Sequence, residues 1–322
     1  MVSDINLKES VSLKWKKYNS DYEDKEKMLK INNYSKTFNK SYVENTSIKN
    51  VKYIRFSFKN YDKDNDEQIM YKLMKAERIV KINNYLSTEF LPEIVDIYYK
   101  KKSDKQKIYI VKEYVKGIYG TVNFLECITN QVDVIYDDFG NSKYLRSRRV
   151  IDQILDKIID FEEYLYSKNL TYVGIHPSHF ILGIDSIIKF CGESYILKHK
   201  DGYIDDPLYV DPSKFGNLII SRYTPPELVE YIESGGKIKV SVFGVISYQL
   251  GVLLFDLATL GLFLRNEIKK DKIMSAKIYS RSYLVGQKIR ESILQLIDDE
   301  FRTNIKDFNT IRQVLQEVIK PF

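Results

Sequence analysis

The chain has 322 residues, with 50 Lys and Arg against 44 Asp and Glu, for a net charge of +6. That length allows one large domain or two modest lobes, each with its own core, and 44% hydrophobic with 29% charged residues excludes a disordered or collagen-like chain. The charge is interleaved rather than gathered, so it offers no stripe for nucleic acid. The two cysteines, Cys127 and Cys191, are too few for a disulfide framework and point to a reducing compartment.

Residues 1–30 are polar, with Trp15 as their large apolar anchor, and read as a helical or loosely ordered lead-in. Their opening, MVSDINLKESVSLKWKK, lacks the apolar stretch of a signal peptide, so an intracellular, cytoplasmic location is expected. From residue 31 the texture changes. KSYVENTSI and NVKYIRFSFKN alternate as strands do, NYDKDNDE is a turn, and EQIMYKLMKAERIVKINNYL places Ile69, Leu73, Ile79 and Ile82 near helical spacing. EIVDIYYKK and KIYIVKEYV follow as strands joined by the charged hairpin KSDKQ.

Beyond residue 121 the pattern is helical. In RVIDQILDKIIDFEEYLYSK the residues Ile151, Ile154, Leu155, Ile158, Ile159, Phe161 and Leu165 form one broad apolar stripe. The loop YVGIHPSHFIL leads into two short strand candidates, HFIL and SIIKF, and a polar loop of irregular composition runs to Tyr223. TPPELVEYI begins a helix with proline in its first turn. Residues 240–264 are almost wholly apolar and long enough to span a bilayer. Asp256 in mid-bilayer would cost roughly 2.5–3.5 kcal/mol, however, and a helix apolar all round equally suits the centre of a large domain. No membrane span is therefore expected. Amphipathic segments at 285–298 and 307–319 close the chain.

Five stretches, in order, carry a resemblance. KIYIVKEYVKG is similar to the pattern Y-x-V-x-E-Y-x-x-G, and YLYSKNLTYVGIHPSHFIL to H-S-K-G-I-x-H-R-D-L-K-P-x-N-I-L, keeping Ser167, Lys168 and Pro177. TPPEL resembles A-P-E, with Pro226 and Glu227. KVSVFGVISYQL resembles D-V-W-S-L-G-V-x-x-Y-E-L, and DDEFRTN supplies Arg302 where an arginine pairs with the A-P-E glutamate. Together they resemble the eukaryotic-type protein kinase family. The resemblance implies an α+β, bilobal kinase-like fold, with a polar extension over 1–30, a β-rich N-lobe over 31–116 and a mainly helical C-lobe over 117–322.

The same register puts the family's working positions on residues that cannot do its chemistry. Phosphoryl transfer needs metal-binding carboxylates and an acceptor for the hydroxyl proton. The loop aspartate aligns with Gly174, the loop lysine with His176, the metal-binding asparagine with His179 and the D-F-G aspartate with Gly192. A one-residue shift would place Glu193 at that last position. NYSKTFNKSY stands where a glycine-rich loop should cover phosphates, and it has no glycine. Arg55 aligns with the strand lysine, and Ala76 or Glu77 with its helical partner. Lys112 precedes the hinge, where burial would require either a carboxylate partner or a wet pocket. Arg55, Glu77 and Lys112 are thus the nucleotide-pocket candidates. Lys239 replaces a helical aspartate that braces the loop, whereas the architectural pair Glu227 and Arg302 is kept.

These departures predict a pseudokinase: a kinase-like protein without phosphotransfer, with weak or absent ATP and magnesium binding, acting as a protein-binding or allosteric module. Its protein partner would meet residues 1–30 or the segment ITNQVDVIYDDFGNSKYLRSR. Two alternatives stay open. One is an active kinase or other transferase with relocated acids, drawn from Asp185, Glu193, Asp201, Asp205 or Asp206. The other is a metal site: His176, His179 and Cys191, with Glu193 and His199 nearby in sequence, are donors of the kind that bind zinc, although their spacing matches no standard pattern.

Overall fold

In a computed structural model of the chain, the described residues are 16–17, 22–26, 38–45, 52–58, 66–102, 105–115, 117–119, 142–183, 188–206, 223–258, 278 and 285–319. They belong to two compact units, one of residues 1–117 with 181–194 and the other of 118–180 with 195–322. The protein is a mixed α+β chain.

In the first unit, alternating side chains build a six-stranded sheet. Its strands are β1 (Lys16–Lys17), β2 (Tyr22–Glu26), β3 (Phe38–Asn45), β4 (Lys52–Phe58), β5 (Ile94–Lys102) and β6 (Lys105–Glu113), in the order β1-β5-β6-β4-β3-β2. Neighbours are antiparallel except β1, which runs parallel to β5. Helix α1 (Asp66–Tyr85) covers one face, where Ala76 and Ile79 pack with Ile108 and Ile110 and with the partly buried Phe56, Leu73 and Ile94. The two-residue period puts Tyr53, Tyr98, Tyr109 and Val111 on the opposite face.

Within residues 1–30, β1 and β2 replace the expected helical or loose lead-in. Both are outermost strands of the sheet, and charged residues are common on edge strands. Trp15 and residues 184–187, including Asp185, lie outside the described residues, as do Cys127, 31–37 and 128–141.

A short strand, β7 (Gly117–Tyr119), lies where the second unit starts, and the next described elements of that unit are α2 (Ser142–Tyr166) and β8 (Leu170–Tyr172). A 3-10 turn, Pro177–His179, leads into β9 (Phe180–Gly183), which from Ile181 onward belongs, with its hydrogen-bonded neighbour β10 (Ile188–Phe190), to the first unit. Strands β11 (Ile196–Lys200) and β12 (Tyr203–Ile204) form a hairpin, and β11 also pairs with β8. The irregular loop expected here is thus partly a sheet. Asp201-Gly202 makes the two-residue turn, both residues at positive φ (52° and 79°), the geometry that Asp-Gly favours.

Among the described residues, the second unit also holds the helices α3 (Pro226–Glu233), α4 (Val242–Ala258), α5 (Gln287–Ile297), α6 (Asp299–Asn304) and α7 (Phe308–Ile319). Helix α4 is the core of the apolar run, and every residue from Val242 to Leu257 is buried. It packs on α5 and α6, while α7 packs on α5 and α2. Among the described residues no helix is long and apolar enough to cross a membrane.

Candidate functional site

The loop after β8 is held from several sides within the second unit. The backbone N–H of Val173 donates to the Tyr195 carbonyl at 3.0 Å, and the Gln249 side-chain amide on α4 donates to the Val173 carbonyl at 2.8 Å. Gly174 follows, in a space too small for any side chain. A Cβ atom there would stand 2.7 Å from the Tyr195 Cβ and 2.8 Å from the Tyr172 ring. The position aligned with a catalytic aspartate therefore has neither a carboxylate nor room for one.

Both histidines are used in packing. His176 is fully buried, its ring edge-on to Tyr223 with centroids 4.7 Å apart, and the Tyr223 hydroxyl donates to the buried Asp256 carboxylate. His179 stacks on Tyr195 with centroids 4.6 Å apart, and its Nδ1 lies 2.7 Å from the Gly174 carbonyl. A carbonyl only accepts, so Nδ1 carries a proton and donates. The two histidine rings are 5.7 Å apart. Cys191 is buried in the first unit, and His199 on β11 stacks on Tyr166. Burial lowers the His199 pKa, opposed by its interactions with the Tyr166 backbone and Asp201. Among the described residues no three His, Cys, Asp or Glu side chains gather as a metal ion would require.

One functional candidate escaped the sequence reading. Glu162 on α2 is completely buried, and one carboxyl oxygen accepts from the Thr171 hydroxyl at 3.2 Å and the Tyr172 N–H at 3.1 Å. The other oxygen has no hydrogen-bond partner among the described residues. Burial pushes the Glu162 pKa up to about 8, against the pull of those two hydrogen bonds, so the group is largely protonated at neutral pH. Its neighbour Glu163 reaches Arg312 near the surface. In FEEYLY the two glutamates are indistinguishable until the stripe of Ile158, Phe161 and Leu165 is extended to include position 162.

In the first unit, Lys112 is 4% exposed near the end of β6 and its ammonium pairs with the carboxylate of Glu193, itself 3% exposed. The Asn83 amide on α1 donates to the same Glu193 oxygen at 3.0 Å, and the Lys112 ammonium lies 5.4 Å from the Phe56 ring centroid. The buried lysine has found a carboxylate, and the one acid near the expected D-F-G position is neutralised by it. Gly192 beside it has φ 133°, a backbone state that a side-chain-bearing residue adopts only with strain.

Arg55 and Glu77 do not come together. Arg55 lies on the Tyr face of the sheet, donating to the Tyr98 hydroxyl at 3.3 Å and sitting 5.0 Å from the Tyr109 ring centroid, whereas Glu77 is on α1, which covers the other face. The adjacent Ala76 is fully buried in the apolar core between α1 and the sheet. Of the remaining acids, Asp201 is in the hairpin turn and Asp205 is exposed. Asp206 is buried, accepting from the Lys198 N–H at 3.0 Å. Lys239 is exposed, its ammonium 5.5 Å from the Tyr203 ring centroid.

Glu227 on α3 and Arg302 on α6 form an ion pair in the second unit. Arg302 also pairs with Asp299, and its guanidinium carbon lies 5.1 Å from the Tyr248 ring centroid. Burial alone would lower the Arg302 pKa, but the Glu227 charge and the hydrogen bonds that Arg302 donates to Glu227 and Asp299 hold it above its ordinary value. No protein-family model matches the chain, and a comparison with curated proteins finds no match either.

Proposed function

We propose that this chain is a protein kinase-like protein that transfers no phosphate, a pseudokinase serving as a protein-binding or allosteric module. The observation that carries the reading is Gly174, whose place against Tyr195 and Tyr172 leaves no volume for a catalytic carboxylate. Three further features support it. Glu193, the nearest substitute for a metal-binding aspartate, is consumed by Lys112 and Asn83, and Arg55 faces away from the helix that would supply its partner. Glu227 and Arg302, which serve architecture alone in the family the sequence resembles, remain paired.

The reading excludes a cleft that grips magnesium and nucleotide. A thermal-shift titration with ATP, with and without magnesium or manganese, tests this, because a ligand at 100 times its dissociation constant adds about 2.7 kcal/mol of stability. No shift at millimolar nucleotide is expected. A saturable, metal-dependent shift would instead favour a divergent transferase with relocated acids. Partner mapping is best done by surface substitution, since deleting residues 1–30 would remove β1 and β2 from the sheet.

A further inference from the structure

We propose that, within the first unit, Lys112, Glu193 and Asn83 form a latch that fastens residues 188–194 to the six-stranded sheet and α1, and whose opening releases that segment while the sheet stays folded. The inference rests on the geometry of this unit and does not require the kinase-like reading.

The fixed half of the latch belongs to the sheet and its helix. Lys112 lies on β6, a strand paired on both sides, opposite Ile54 of β4 and Ile94 of β5. Asn83 is locked on α1: its carbonyl oxygen accepts from the Ile94 N–H at 3.1 Å and its amide donates to the Pro92 carbonyl at 2.9 Å. The other half, Glu193, is separated from Lys112 by 81 positions of chain. Two outer contacts repeat the attachment: the Phe190 N–H donates to the Phe90 carbonyl at 2.7 Å, and Lys189 pairs with Glu113. The ladders of β4, β5 and β6 and the apolar layer of Ala76, Ile79, Ile108 and Ile110 contain none of these segment residues.

A buried ion pair makes such an attachment two-state. Closed, the ammonium and carboxylate satisfy each other, and the Asn83 amide adds a hydrogen bond to the shared oxygen. Open, both charges are hydrated. A halfway arrangement would leave one charge buried alone, which is the costly case. A partner or ligand that binds the released segment would therefore shift a population between two defined states.

Amide hydrogen exchange on the full chain tests this. Replacing Lys112 by Met strands the Glu193 carboxylate, so the Phe190 amide should exchange at least about tenfold faster while the amides of the β4–β6 ladder, at Phe56 and Ile110, keep their wild-type rates. The double replacement Lys112→Met with Glu193→Met leaves no charge to hydrate, so Phe190 exchange should return to within about threefold of wild type. If Lys112→Met does not fold, Glu193→Gln gives the same readout, because it keeps an oxygen for Asn83 and removes only the charge. Unchanged Phe190 exchange, or acceleration shared equally by Phe56 and Ile110, would overturn the proposal.

Discussion

Gly174 stands so close to Tyr195 that a Cβ added to the glycine would lie 2.7 Å from the tyrosine Cβ, a distance at which one backbone or the other must move. Replacing Gly174 by Asp, the residue needed for the missing chemistry, should cost about 1–3 kcal/mol through overpacking and bring no phosphotransfer. Denaturant unfolding and an ATP-turnover assay on the same preparation check both halves of this expectation. Gly174→Ala, which adds only the clashing carbon, should account for most of the stability loss.

Glu162 makes stability depend on pH in a definite direction. The folded carboxyl keeps its proton up to about pH 8, whereas its ordinary pKa is 4.5. Between those values the unfolded state binds fewer protons, so stability falls as pH rises. This contribution is fully present below about pH 4.5 and is lost by about pH 8, a change on the order of 3–5 kcal/mol at one group. Urea unfolding of wild type and Glu162→Gln across that window should show the two curves diverging in slope, the variant being the flatter. Parallel curves would show that Glu162 does not keep its proton.

The Glu227–Arg302 pair should respond asymmetrically. Arg302 is buried and also holds Asp299, so Glu227→Gln leaves a charge that is still compensated and should cost about 1 kcal/mol. Arg302→Met strands the partly buried Glu227 and removes the cation from the Tyr248 ring, and should cost about 3 kcal/mol. Thermal unfolding of the two single variants distinguishes these values, and equal losses would contradict the account.

Gly202 tests the hairpin of β11 and β12. Its φ of 79° favours glycine, so Gly202→Ala should destabilise by about 1 kcal/mol or more. The loss should be felt locally. The Val242 N–H, which donates to the Gly202 carbonyl at 2.9 Å, should lose exchange protection before the centre of α4 does.

What the sequence made legible follows from periodicity. Strands β4 to β6 and helices α1, α2, α4, α5 and α7 could be read because each buries one face or is buried all round, which leaves a two-residue, helical or continuous apolar pattern. β1 and β2 could not be read, because outer strands rich in Lys, Asp and Glu carry no such pattern. The β11–β12 hairpin was hidden in a polar loop, although Asp201-Gly202 was its signal. Lys112 announced its need for a carboxylate, but 81 positions separate it from Glu193, and no local rule spans that distance. Glu162 was missed for the opposite reason: its neighbours made it look like one more charge on a solvated helix face.

Direct phosphotransfer tests most plainly the proposal that this kinase-like chain transfers no phosphate. Stoichiometric protein is incubated with γ-labelled ATP, magnesium or manganese, and a panel of Ser-, Thr- and Tyr-containing acceptor proteins. Label reaching protein hydroxyls or water should stay at the protein-free background, with wild type and Glu193→Gln alike. Transfer that scales with protein concentration and is lost in Glu193→Gln would contradict it.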